Sequence, residues 1–134
     1  MAQALAVKQA AIELHVVNNF TSAELIFENM RSPAPELFDE WVRCSVQFGD
    51  SFRSALGTPG QYRHPGVVFL QVFIKEGIGI NRGVVLADEL ANLFRDQVVS
   101  GINFWVPRVI KVPTANEGWF QVQVMIPFYF DEVN

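Results

Sequence analysis

The strongest pattern in the chain is an apolar stretch near its middle, from Val67 to Ile74, followed by glycines and then by apolar residues at helical spacing. The stretch predicts a central strand over residues 67–75. Beyond the glycines, a spacing of i, i+4, i+7 and i+8 predicts an amphipathic helix from about residue 83 to residue 98. Its apolar positions are Leu86, Leu90, Leu93 and Phe94. Since a helix must bury its apolar stripe, we expect it to pack on the strand before it.

Strict alternation of side chains predicts further strands. Residues 41–48 alternate cleanly, and residues 119–130 alternate over their whole length. Residues 102–112 also favour a strand, but Pro107 interrupts them. Because proline cannot donate to a strand ladder, we expect an edge or a bulge there.

The N-terminal part of the chain combines helical and irregular patterns. Residues 2–17 predict a helix whose packed stripe consists of Ala4, Val7, Ala11 and Leu14. Residues 21–29 are ambiguous between a helix start and a strand, and we favour a short strand at 25–27. Prolines predict a turn at 32–35. Residues 49–66 are rich in glycine and proline, which is typical of a binding loop, although a long hairpin arm is the alternative.

The predicted order of elements is α-β-β-β-α-β-β in one domain, residues 1–134. It favours an α+β fold, with a mixed or antiparallel sheet of about four to five strands and two helices packed on one face. The other face would carry aromatic residues among polar ones, which suits a subunit interface better than water or a core. Together with the loop, this face supplies the candidate interface residues: Trp41, Arg43, Phe52, Arg53, Tyr62, Arg63, Phe69, Phe73, Trp119 and Met125.

Composition narrows the class of protein. Half of the 134 residues are apolar and 18% are charged, which excludes a disordered chain. The net charge is −4 and no Lys/Arg run occurs, so the electrostatic footprint of a nucleic-acid-binding protein is missing. The single cysteine, Cys44, cannot form an internal disulfide and fits a core position on its strand.

Catalytic and binding motifs are weak. Residues 77–83 approximate a dinucleotide fingerprint, but the strand after the following helix has no acidic residue to bind a ribose. His15 and His64 lack metal-ligand spacing. Asp88-Glu89 is most simply a solvated pair on a helix. We therefore expect no enzyme activity, no cofactor and no metal site.

The chain resembles the tail terminator, or tail completion, proteins of long-tailed bacteriophages from about Leu25 to Asp131. The order of elements matches, and short sequence features match as well. These are Glu28-Asn29, Trp41-Val42-Arg43 with Gly49, Arg63-His64-Pro65-Gly66, Gln71-Val72-Phe73, Gly77-Ile78-Gly79, Ala87-Asp88 and Phe94.

The resemblance implies a homo-oligomeric ring of six copies in the virion, at the head-proximal end of the tail, assembled in the host cytoplasm. Its partners would be the tail tube protein on one side and a neck or head-completion protein on the other. DNA would pass through the ring without sequence-specific binding, and no membrane would be involved. Another neck, connector or tube component, and an unrelated small binding module, are the alternatives.

Overall fold

A computed structural model describes residues 4–28, 39–55, 57, 60–75, 77, 81–116 and 119–133. The predicted turn at 32–35 and Gly79 of the glycine cluster lie outside these residues. Neither helix in the described part of the chain is long and apolar enough to cross a bilayer.

The structure contains two helices and eight strands in the described residues. In chain order they are α1 (Ala4–Asn19), β1 (Glu24–Phe27), β2 (Glu40–Phe48), β3 (Phe52–Ala55), β4 (Gln61–Lys75), α2 (Asn81–Phe94), β5 (Val98–Val99), β6 (Ile102–Phe104), β7 (Arg108–Asn116) and β8 (Trp119–Val133).

The predicted α+β fold, a sheet of about four to five strands with two helices packed on one face, is wrong in its sheet. All eight strands belong to one curled, mixed sheet that forms a half-barrel, and the structure is mostly sheet (54%). Its path is β1-β2-β4-β8-β6-β5, with β3 added to β4 and β7 added to β8. Among the described strands, only the β1–β2 pair is parallel.

The additional strands come from segments whose glycines and prolines favour loops. Residues 49–66 are largely strand: they hold β3 and the first part of β4, so the hairpin-arm alternative is correct for this stretch. Gly66 lies inside β4, paired with Phe48 on one side and Phe128 on the other. A Cβ at Gly66 would overlap the Phe128 ring and approach the Gln47 carbonyl oxygen to 2.8 Å. Glycine is thus required here for close packing rather than for a turn.

A second hairpin accounts for β5 and β6. Ser100 and Gly101 have φ of 51° and 78° and connect Val99 to its pair Ile102, which is the geometry of a two-residue turn with two left-handed residues. Helix α2 consequently ends at Phe94, before the predicted residue 98.

The predicted interruption at Pro107 is confirmed as a bulge between β6 and β7. Residues 105–107 lie opposite only two residues of β8, Ile126 and Pro127. The Trp105 amide donates to the Pro127 carbonyl oxygen at 2.9 Å, which carries the ladder across the bulge. The bulge splits one long segment into two strands along β8.

One large core joins both helices to alternate residues of β2, β4 and β8. We call this side of the sheet the helix face and the other side the opposite face. The predicted core residues are confirmed: Val42, Val46, Leu70, Val72, Leu86, Leu90, Phe94, Val122 and Val124. Cys44 is also buried there, and burial raises the pKa of its thiol to about 12, as expected for an inert core residue.

The predicted packed stripe of α1 is wrong at Val7 and Leu14 and correct at Ala11, which packs against the core. Val7 and Leu14 are each 58% exposed, whereas Ile12 and Val16 are fully buried. Helix α1 is apolar on two sides, so its sequence does not identify the packed one. His15 on the same helix donates from Nε2 to the Leu93 carbonyl oxygen at 2.9 Å and meets the Phe94 ring edge-on, which joins α1 to α2.

We expect Leu90→Ala to lower the free energy of unfolding by about 2–5 kcal/mol, because it leaves a cavity between α2 and the sheet. Val85→Ala, on the exposed side of the same helix, should lower the free energy of unfolding by much less. Urea denaturation of both variants measures the difference. Equal effects would mean that α2 contributes little to the core.

A second prediction concerns the glycine inside β4. Gly66→Ala should destabilise the protein by about 1–3 kcal/mol, since the added methyl group has no room beside Phe128. Gly49→Ala is the matched control, because a Cβ there meets only Pro65, at 3.5 Å or more. Thermal unfolding of the two variants distinguishes close packing from a general intolerance of alanine in this region.

Candidate subunit interface

Alternation along β2, β4 and β8 places seven of the ten predicted interface residues on the opposite face of the sheet, and Phe52 of β3 joins them through its pairing with Arg63. β2, β4 and β8 are long and paired in continuous register, so their odd-numbered residues all point away from the helices. The seven are Trp41, Arg43, Arg63, Phe69, Phe73, Trp119 and Met125. The structure distributes them over three regions with different surroundings.

The first region is an aromatic cluster at one end of the opposite face. Trp41, Phe73 and Trp119 are buried there with Ile26, apart from the main core. Trp41 stacks on Phe73 with ring centroids 4.2 Å apart and meets Trp119 edge-on at 5.9 Å. These three rings are therefore packed within the subunit and have little surface left for a partner.

Arg43 borders this cluster. Its guanidinium lies 5.2 Å from the Trp41 ring centroid and 5.7 Å from that of Phe73, within range of a cation–π interaction. The side chain is only half-buried, so the cluster presents a charged, planar group toward solvent. The Trp41 indole N–H is buried and finds no acceptor among the described residues.

The second region is the centre of the opposite face. Phe69 and Met125 form a directly paired couple on β4 and β8, and both are half-buried. Glutamines surround them at Gln71 and Gln123, one pair further along the same strands. Neither helix packs on this area. The buried residues of both helices belong instead to the core on the helix face.

The third region is an arm formed by β3 and the ends of β4 and β8. All four residues of β3 are exposed, including Phe52 at 53%. The Arg53 guanidinium donates to the Gly57 carbonyl oxygen at 2.6 Å and lies 5.9 Å from the ring centroid of Tyr62. The arm is thus held by local contacts and presents an aromatic side chain to solvent.

Ion pairs stabilise the base of this arm. Arg63 donates two hydrogen bonds to Asp131, at 2.9 and 3.0 Å, and its guanidinium stacks 4.2 Å from the Tyr129 ring centroid. The hydrogen bond from Arg63 lowers the pKa of the Asp131 carboxyl below its ordinary value. His64, whose Nε2 lies 3.0 Å from the Glu132 carboxylate, likewise lowers the pKa of Glu132.

A groove that sequence reasoning missed lies between α2 and β7. Its volume is about 350 Å³, and it is lined by Val84, Val85, Asp88 and Val109. The three valines are 36–47% exposed, which is unusual for a cluster of apolar side chains. The residues come from two separate segments, so no local motif could have revealed the groove. Within the described residues, no group of His, Cys, Asp and Glu side chains could hold a metal ion.

Comparison with known proteins gives a fold but no family. The sequence matches no family model and no curated protein. Among 19 similar chains of solved structures, one aligns over 96% of this chain and 96% of its own length, with a TM-score of 0.67 and 22% identity. At this identity the likeness shows a shared fold alone.

We expect the Arg63–Asp131 pair to make stability depend on pH. The folded-state pKa of Asp131 is lowered, so its contribution is complete above the ordinary pKa of 3.8 and is lost as pH falls below that value. The stability difference between wild type and Asp131→Asn should therefore shrink on acidification below about pH 4. Chemical denaturation across pH 2–7 measures it.

The control for this prediction is a double-mutant cycle. With Arg63→Gln as background, Asp131→Asn should produce a smaller change, and that change should lose most of its pH dependence. An unaltered effect in this background would show that another group lowers the Asp131 pKa.

Proposed function

We propose that this protein is a tail terminator of a long-tailed bacteriophage: a ring of six copies that caps the tail tube, ends its growth and provides the surface to which the head joins. The proposal starts from the sequence resemblance, since the shared fold carries no function by itself. One observation supports it most. The centre of the opposite face is half apolar, and no helix of the described chain covers it.

That centre has the composition of an interface rather than of free surface. Phe69 and Met125 are of residue types enriched at interfaces, and Arg43 lies beside them. The glutamines around them can exchange hydrogen bonds with water for hydrogen bonds with a partner. A large aromatic group on a sheet face that no helix covers gains most by burial against a second protein surface.

The two ends of the subunit also differ, as a terminator requires. One end of the sheet holds the buried aromatic cluster of Trp41, Phe73 and Trp119, and the other holds the exposed arm. In a ring whose strands run along its axis, these ends become two unlike ring faces. One face could then match the tube and the other a neck protein.

Termination of tube growth requires no covalent bond to be made or broken. A tube of stacked rings is an open assembly, so nothing in its own contacts ends it. A ring that binds the tube end on one side and rejects further tube rings on the other stops growth by specificity alone. The net charge of −4 suits a channel for DNA, because like charge weakens attraction to phosphates.

The proposal predicts that phage particles assembled without this protein have overlong tubes or tails not joined to heads. Wild-type protein supplied in trans should restore both tail length and joining, measured by electron microscopy. Normal tails on filled heads in its absence would contradict the assignment. Open-ended filaments of the purified protein would instead favour a tube subunit.

Two variants in the same complementation experiment test whether the centre of the opposite face is an interface. Phe69→Arg puts a charge at the centre of the opposite face and should fail to complement, because a desolvated unpaired charge is costly at an interface. Gln47→Arg adds the same charge at an exposed position of the same face and should complement. Melting temperatures of the two purified variants should be checked to ensure that both are folded.

A further inference from the structure

Four strands in the described structure pair on one side only: β1, β3, β5 and β7. β1 pairs only with β2, and β7 pairs only with β8. No backbone–backbone hydrogen bond joins the outward groups of β1 or β7 to another described residue. Such edges are templates for another strand unless charge or cover protects them.

The register shows that these two edges lie at the same height on the sheet. β1, β2, β4, β8 and β7 form a band of five strands, with β1 and β7 as its two borders. One row of this band runs through the paired residues Phe27, Cys44, Leu70, Val124 and Val109. The row at one end of β1 joins Glu24, Trp41, Phe73, Gln121 and Val112.

We propose that the β1 edge of one copy pairs with the β7 edge of the next, so that the five-strand bands of neighbouring copies join into one continuous sheet around the ring. This inference rests on the proposed ring and names the contact that builds it. The contact is heterologous, because β1 and β7 are different surfaces, and a heterologous contact generates a ring when its rotation closes.

Strand direction and height both suit closure. β1 runs parallel to β2, and the three following pairs of the band are antiparallel, so β7 runs opposite to β1. Rotation about an axis along the strands preserves their directions, so β1 of the next copy meets β7 as an antiparallel neighbour. Because the two edges are level, each copy is added beside the last one rather than above it.

The side chains on the two edges match in this level register. Ile26 of one copy faces Ile110 of the next on the opposite face of the sheet. Phe27 faces Val109 on the helix face. Val109 lines the groove with Val84 and Val85, so the part of the half-buried Phe27 ring that its own core leaves exposed lies against exposed valines. The groove is thus explained as the seat of the neighbouring β1.

Charge favours the same pairing. β1 begins with an exposed acid, Glu24, and is followed by another, Glu28, whereas β7 carries two exposed bases, Arg108 and Lys111. The two bases form no ion pair with a described residue, and Glu28 uses one oxygen to accept the Val46 amide at 2.6 Å. Opposite charges on the two edges favour β1–β7 contacts over contacts of an edge with itself.

Cysteine cross-linking tests the register. A Glu24→Cys/Val112→Cys variant carries one cysteine on each edge, and oxidation of the protein bound to tube ends should give disulfide-linked multimers up to a closed ring. Cys44 is buried and does not compete. Glu24→Cys/Arg108→Cys is the matched control. Its second site lies four residues away, about 13 Å along the strand, too far for a disulfide.

The two single variants test whether the contact is heterologous. A mixture of Glu24→Cys and Val112→Cys proteins should give dimers that contain one copy of each and nothing larger. Dimers of one variant with itself would mean that like edges meet, and would overturn the proposal. Rings of wild-type protein without cross-linking at 24–112 would also overturn it, while leaving the terminator function intact. Absence of any wild-type assembly on tube ends would instead refute the proposed function.

Discussion

The rest of the structure depends on the pairing of β4 with β8. Both strands are 15 residues long and pair along their whole length in an unbroken antiparallel register. Because each is longer than any other strand, each has room for two neighbours along its outer side. β4 carries β2 and β3, and β8 carries β6 and β7. One ladder thus determines where every other strand lies.

The same ladder separates the two faces of the molecule. Its even-numbered residues from Val68 to Ile74 and from Val122 to Phe130 form the core with the helices. Its odd-numbered residues lie on a face that the helices leave uncovered. The division explains how one small domain can have a complete core and still keep a half-apolar surface.

Sequence patterns predicted the regular parts of this structure and missed the exceptions. The second half of β4, helix α2 and strand β8 follow their periods closely, because the core residues of each alternate or recur without interruption. The first half of β4 was predicted as irregular, since Pro65 and Gly66 are common in loops. Only the Phe128 ring over Gly66 shows that the glycine makes room for packing.

Alternation also made part of the candidate interface predictable, namely which residues lie on the opposite face. Alternation assigns Trp41, Phe73 and Trp119 to the opposite face, but it cannot show that these rings pack on one another. The groove of Val84, Val85 and Val109 depends on a contact between a helix and a strand distant in sequence. Which strands lie at an edge of the sheet depends in the same way on which strands pair, and no local sequence pattern contains that information.

We propose that this chain forms a closed ring on a bacteriophage tail tube. A cryo-electron microscopy reconstruction of the head-proximal tail end tests it most directly. We predict a single ring of six copies whose sheets join through β1 and β7, with the exposed arm and the aromatic cluster on opposite ring faces. Copies distributed along the tube, or a single copy at its end, would contradict the account.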